Sequence, residues 1–120
     1  VVIFKNNSLG QIKWEQIAME GNPEFGVALQ PIDFAAYARA CGAAGFTIQH
    51  QLEAENILKQ ALANDGPALV EAIVDPNEPP MPGKITMEQA LRFTESMVRG
   101  DKNRGAILKN LAKNVVREVI

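Results

Sequence analysis

Lys5-Asn6-Asn7-Ser8-Leu9-Gly10 sets two side-chain amides, a hydroxyl and a glycine directly after the apolar run Val1-Val2-Ile3-Phe4. Amide and backbone carbonyl oxygens are hard donors. They suit Mg²⁺, an ion that commonly bridges protein oxygens and substrate phosphates. Ser8 and Gln11 have the spacing of a capping box, so the sequence predicts a helix starting near Leu9. A helix N-terminus favours anions, phosphate above all, through its free N–H groups and its dipole. The stretch therefore reads as half of a Mg²⁺–phosphate site. By spacing alone it also describes an ordinary asparagine-rich turn between a strand and a helix.

The elements around it decide whether such a turn lies where ligands bind. Val1 to Phe4 are apolar on consecutive positions, the pattern of a parallel strand covered on both faces. In the helix that follows, Ile12, Gln16 and Met19 share one side, with Glu15 close to it, and Gly21-Asn22-Pro23 ends it. Residues 22–31, "NPEFGVALQP", read as irregular surface. Asp33 is placed to cap a second helix, whose stripe is Phe34, Tyr37, Ala38 and Cys41, and Gly42 closes it. Residues 45–49 form the next strand. Residues 52–63 read as a helix burying Ala54, Ile57, Leu58, Ala61 and Leu62, 64–67 as a turn, and "ALVEAIV" as a third strand. This alternation predicts an α/β fold with right-handed crossovers: a partial doubly wound parallel sheet of about three strands with flanking helices. In such sheets ligands gather at the C-terminal ends of strands, which is where Asn6 lies.

Beyond the sheet, residues 76–85 form a Pro-rich connector. Thr86 and Gln89 make another capping-box pair, opening a helix to about Val98 that Gly100-Asp101 breaks. A final amphipathic helix is expected over 104–118, with Ile107, Leu108, Leu111 and Val115 on its apolar side. The expected division is 1–75 for the α/β part, 76–85 for the connector and 86–120 for a helical extension.

Composition removes several classes of function. The 120 residues make at most one ordinary domain, and a net charge of −2 gives no reason to expect nucleic acid as a partner. No apolar run approaches the ~20 residues of a membrane span. One Cys and one His leave no room for a zinc site or a Cys–His nucleophilic pair within the chain. With Cys41 alone no internal disulfide forms, which points to an intracellular, cytoplasmic setting. Cys41 is expected in the core, His50 in a structural or exposed position, and Trp14 in packing or an interface.

Four segments in order, "VVIFKNNSLGQIKWEQ", "LQPIDFAAYARACGAAGF", "GPALVEAIVDPNEPP" and "KITMEQALRFTESMVRG", resemble the C-terminal end of thiamine-diphosphate-dependent enzymes. The resemblance covers the chain to about Gly100. It is closest to the branch of pyruvate oxidase and quinone-linked pyruvate dehydrogenase, with acetolactate synthases next. It implies that residues 1–75 are the C-terminal half of a diphosphate-binding domain.

The family holds its diphosphate through Mg²⁺ with a split motif. A Gly-Asp-Gly segment comes first and a strand ending in Asn comes later. Only the second half occurs here; "RGDKN" is not the first half and lies on the wrong side of the strand. The chain is accordingly expected to be the C-terminal fragment of a longer polypeptide, incomplete as a cofactor site. Counting back from Gly10 selects Asn6 as the metal's side-chain ligand and Ser8 as its carbonyl ligand. Matching the Asn-Asn pair selects Asn7 and Leu9 instead. The first register is preferred, because the glycine and the helix behind it anchor the comparison better than a doublet. The other Asn is then a turn residue tolerating a left-handed backbone. The resemblance extends the cofactor contacts to Asn6, Asn7, Ser8, Leu9, Gly10, Gln11 and Ile12. It places Glu15 beside the reacting carbons, where a carboxylate orients water or relays protons.

Implied cofactors are thiamine diphosphate and Mg²⁺, with FAD in the complete enzyme. The implied reaction is oxidative decarboxylation of a 2-oxo acid, pyruvate first. The alternatives are an acetolactate-synthase-like carboligase and a non-enzymatic interaction module. Expected partners are the remaining domains of the parent chain and further copies of it, as a dimer or tetramer. The tail, with Lys109, Lys113 and Arg117 beside Leu108, Leu111 and Val115, is expected to dock on its own protein rather than on a membrane.

Overall fold

The computed structural model describes residues 1–78 and 86–119, with side chains as far as residue 113. In chain order the elements are β1 (Val2–Lys5), α1 (Gly10–Ala18), α2 (Phe34–Ala40), β2 (Ala44–Ile48), α3 (Ala54–Leu62), β3 (Ala68–Ile73), α4 (Met87–Val98) and α5 (Arg104–Val119). A single 3-10 turn, Gln51–Glu53, precedes α3. The chain forms two compact units, one of Val1–Asn7 with Gln30–Asp75, the other of Ser8–Leu29 with the residues from Pro76 onward. Residues 79–85 of the expected connector lie outside the described residues.

The first unit is a three-stranded sheet in the order β1-β3-β2, with both pairings parallel, as the alternation of elements predicts. β3 is central: Val2 pairs with Val70 and Ile3 with Glu71 on one side, while Phe46 pairs with Val70 and Thr47 with Glu71 on the other. The apolar interior gathers around Val70, Ile48, Ala35 and Ala38. Asp33 caps α2, its Oδ1 accepting from the Ala36 N–H at 2.7 Å. The buried face of α2 is nevertheless Ala35 and Ala38, whereas Tyr37 and Cys41 are exposed. Gly45 explains the reversal. A Cβ there would stand 2.9 Å from the Ala35 Cα and collide with the Ala35 carbonyl oxygen, so helix and strand meet backbone to backbone. Only small side chains fit such a seam, and Tyr37 and Cys41 of the expected stripe turn outward, with Phe34 half-buried. α3 packs on β2 and β3 through the half-buried Ala54, Ile57 and Ala61. Leu62 is 85% exposed and Leu58 lies at the margin, because the contact is one row wide.

The second unit holds α1, the loop after it, α4 and α5. The buried face of α1 is Lys13 and Ile17, not Ile12, Gln16 and Met19; Ile12 and Met19 are exposed. Lys13 sets the phase. Its ammonium pairs with Glu24 at 2.8 Å and donates to the Pro76 carbonyl at 3.0 Å and to Asn77 Oδ1 at 2.8 Å. A buried ammonium must find partners, and these lie on one side of the helix. The loop of 22–31 is therefore not simply surface: Val27 is buried, and the Glu24 side chain is only 6% exposed. The same loop is stitched to the later helices. Ser96 Oγ donates to the Asn22 carbonyl, Arg99 donates to Asn22 Oδ1, and Asp101 Oδ2 accepts from the Glu24 N–H.

The Thr86–Gln89 capping box forms, and α4 ends before Gly100, whose φ is 91°. In α5 the buried positions are Ile107 and Asn110; Leu108 is exposed. Val115 and Arg117 lie outside the described side chains. Among the described residues no helix is long and apolar enough to cross a membrane.

Candidate functional site

In the first unit, the ladder of β1 closes just before the turn, with the Val74 N–H donating to the Lys5 carbonyl at 3.0 Å. Asn6 follows at once and is half-buried. Asn7 is exposed, with φ of 53°. That left-handed value is uncommon outside glycine, and asparagine tolerates it because its short amide bonds locally. Lys5, whose ammonium stands 3.3 Å from Glu71 Oε2, is the last side chain of the strand.

In the second unit, Ser8 forms an antiparallel bridge with Ala28, and the Leu9 N–H donates to the Val27 carbonyl at 2.9 Å. α1 begins at Gly10 with Leu9 as N-cap, and no side chain caps it. Leu9, not Ser8, takes the N-cap place and has no side-chain hydrogen bond to give, while Gln11 Nε2 donates to Glu15 Oε1 at 3.0 Å. The first turn holds no acidic residue. Leu9 gives the leading N–H groups of α1 no side-chain bond, and no acidic residue in the first turn repels an anion. Gln11 and Ile12 are exposed and Glu15 is half-buried. Gln11 and Glu15 meet because they are one helical turn apart.

The donors fit a hard cation and a phosphate. Asn6 and Ser8 offer an amide and a carbonyl oxygen, and among the described residues no cluster of three or more His, Cys, Asp or Glu competes for a metal. Oxygen donors in small number suit Mg²⁺, which fills its remaining positions with water and substrate oxygens.

Among the charged groups with buried side chains, two glutamates lie outside the sequence reading. Glu71, in the middle of the central strand, accepts from Lys5 Nζ, from the Phe34 N–H at 3.0 Å and from Thr47 Oγ1 at 3.0 Å. Its signal was visible as one carboxylate inside the apolar run "ALVEAIV". Glu24 receives Lys13, Lys102 at 2.9 Å and Asn103 Nδ2 at 2.9 Å. Burial pushes the Glu24 carboxyl up, but hydrogen bonds and charge from Lys13 and Lys102 outweigh it and leave the group below its ordinary value. No spacing in the sequence links Lys13 to Glu24. His50 is exposed, and its N–H donates to Glu53 Oε2 at 3.1 Å.

Residues 1–72 match the family described as thiamine pyrophosphate enzyme, C-terminal TPP binding domain. Over 99 residues, 82% of the chain, the sequence is 40% identical to YdaP of Bacillus subtilis, a protein whose name describes it as thiamine pyrophosphate-containing. It is 39% identical over 55% of its length to a catabolic acetolactate synthase of Raoultella terrigena. It is 33% identical over 65% of its length to a benzoylformate decarboxylase of Pseudomonas aeruginosa. The chain spans only 17%, 12% and 15% of those three relatives. The parallel sheet, the turn that leaves β1 and the matched residues agree: this chain belongs to the thiamine pyrophosphate enzyme family, of which it carries the C-terminal TPP binding domain.

Proposed function

We propose that the complete protein is a Mg²⁺-dependent thiamine diphosphate enzyme that decarboxylates a 2-oxo acid oxidatively, with pyruvate as substrate. The observation that supports the cofactor part of this reading is the acid-free N-terminus of α1, whose N-cap Leu9 gives no side-chain bond, directly after the Asn6-Asn7-Ser8 turn. Asn6 Oδ1 and the Ser8 carbonyl would hold the metal, and the leading N–H groups of α1, from Gly10 to Ile12, would favour the negative charge of the diphosphate. Asn7 supplies the left-handed bend instead of a ligand. When bound, thiamine diphosphate supplies the electron sink for loss of CO₂. Ile12 offers apolar contact to the cofactor. Glu15, oriented by Gln11, holds a proton or a water near the reacting carbons. The rest of the metal site, an FAD that takes up the electrons, and a second copy of the protein would come from outside this chain. A cytoplasmic setting and a tail that docks on the parent enzyme belong to the same proposal.

The test is Mg²⁺-dependent binding of thiamine diphosphate to the complete protein, followed by product analysis with pyruvate. Asn6→Ala is expected to lose metal-dependent affinity and Asn7→Ala to lose less. Equal losses, or the reverse order, move the ligands to Asn7 and Leu9. Acetate formed with reduction of an electron acceptor supports oxidation. The identity to an acetolactate synthase favours a second reading, carboligation, in which acetolactate is the main product. A protein that binds no thiamine diphosphate at all is an interaction module, and the reading fails.

A further inference from the structure

Glu71 occupies a place where an apolar residue would serve the core better. It is the middle residue of the central strand, with its side chain only 4% exposed. Taking a carboxylate out of water costs several kcal/mol unless hydrogen bonds and an opposite charge offset it. Three different elements provide the compensation. Lys5 Nζ comes from the end of β1 at 3.3 Å, the Phe34 N–H from the start of α2 at 3.0 Å, and Thr47 Oγ1 from β2 at 3.0 Å. Ile3, Glu71 and Thr47 form one row across the sheet, and Lys5 lies two residues beyond Ile3, on the same face. The charge on Glu71 therefore fixes where Lys5 points. Lys5 is the last residue of β1, and the next peptide carries Asn6.

We propose that Glu71 is a positioning residue for the metal-binding turn: through Lys5 it holds the end of β1 so that Asn6 leaves the sheet in one direction. The role rests on the reading of Asn6 as a Mg²⁺ ligand. An uncharged residue at position 71 would release the Lys5 ammonium toward water, and the strand end would lose a charged tie to the central strand.

The experiment titrates Mg²⁺ into the complete protein at fixed thiamine diphosphate, by calorimetry, for Glu71→Gln, Lys5→Met, the double variant, Lys5→Arg and Asn6→Ala. Melting temperatures are recorded alongside. Partners behind a metal ligand typically govern affinity by tenfold or more, so Glu71→Gln and Lys5→Met should each raise the Mg²⁺ Kd by about tenfold. The double variant should be no worse than either single one, and Lys5→Arg should stay near wild type. A Glu71→Gln protein that melts earlier but keeps its Mg²⁺ Kd has lost only packing, and the proposal falls. It also falls if Lys5→Met keeps the wild-type Kd, which decides the matter even where Glu71→Gln does not fold. Asn6→Ala separates the two ideas. Unchanged Mg²⁺ affinity there overturns the ligand reading and this proposal together. A weakened Asn6→Ala beside an unchanged Glu71→Gln overturns this proposal alone.

Discussion

Glu24→Ala should loosen the second unit far more than a loop substitution ordinarily would. The Lys13 side chain is 1% exposed, and Glu24 is its ion-pair partner. Removing one member of a buried pair costs about 3–5 kcal/mol, because the survivor stays charged and desolvated. Lys13 keeps its bonds to the Pro76 carbonyl and Asn77, which places the cost near the lower end, about 3 kcal/mol. Lys102 is 66% exposed and simply returns to water. Hydrogen–deuterium exchange on the complete protein reads the effect locally. At about 1.4 kcal/mol per decade, amides of α1 and of the loop from Asn22 to Val27 should exchange about a hundredfold faster. Pairing the change with Lys13→Met should restore most of the protection, since no charge is then stranded. The pH dependence has a definite sign. The Glu24 carboxyl lies below its unfolded value, so its contribution is fully present above the unfolded pKa. It is lost as pH falls through the lower folded value, and Glu24→Gln should abolish that acid-side component. Exchange in Glu24→Ala within about threefold of wild type, where the pair energy predicts about two decades, would refute the reasoning.

Gly45→Ala should lower stability by about 1–3 kcal/mol or more in thermal melts, since the added methyl meets the Ala35 backbone and neither element has a flexible side chain there to yield. At Asn7, with φ of 53°, glycine should be tolerated within about 0.5 kcal/mol, whereas valine should cost about 1–2 kcal/mol. Equal melting temperatures for the two Asn7 variants would show that the left-handed turn carries no strain.

The order and type of the elements were legible because local chemistry announced them. Consecutive β-branched residues marked β1 and the apolar run "ALVEAIV" marked β3, Asp33 capped α2, and Thr86 with Gln89 opened α4. The faces of α1 and α2 were not, and the misreadings share a cause. In α1 the apolar residues Ile12 and Met19 suggested one buried side, but the side was chosen by an ammonium finding a carboxylate eleven residues on. In α2 the large residues suggested another, but the closeness of Gly45 admitted only alanines. Periodicity records what a helix could bury and says nothing about how near its neighbour stands or which charges must be satisfied. The turn at Asn6 and Asn7 was legible as a turn. The Ser8–Gln11 spacing suggested Ser8 as the cap, and the N-cap falls one residue later, on Leu9, with Gln11 bonded to Glu15. Glu71 stood in plain view as a charge in an apolar strand, and its meaning needed the register that brings Lys5 beside it.

The strand order β1-β3-β2 also bears on synthesis. β2 and β3 are separated only by the 3-10 turn and α3, so their pairing closes a short loop and can form early. β1 finds its neighbour only when Val70 and the residues around it have left the ribosome, because Val2 pairs with Val70. Pairings distant in sequence are slow, since the entropy of closing the chain is lost before any contact compensates it. The strand that delivers Asn6 is therefore made before its neighbour and placed after it. During translation β1 lacks its β3 neighbour until those residues are made, and a pause in synthesis before residue 68 would prolong that interval without altering a single native contact.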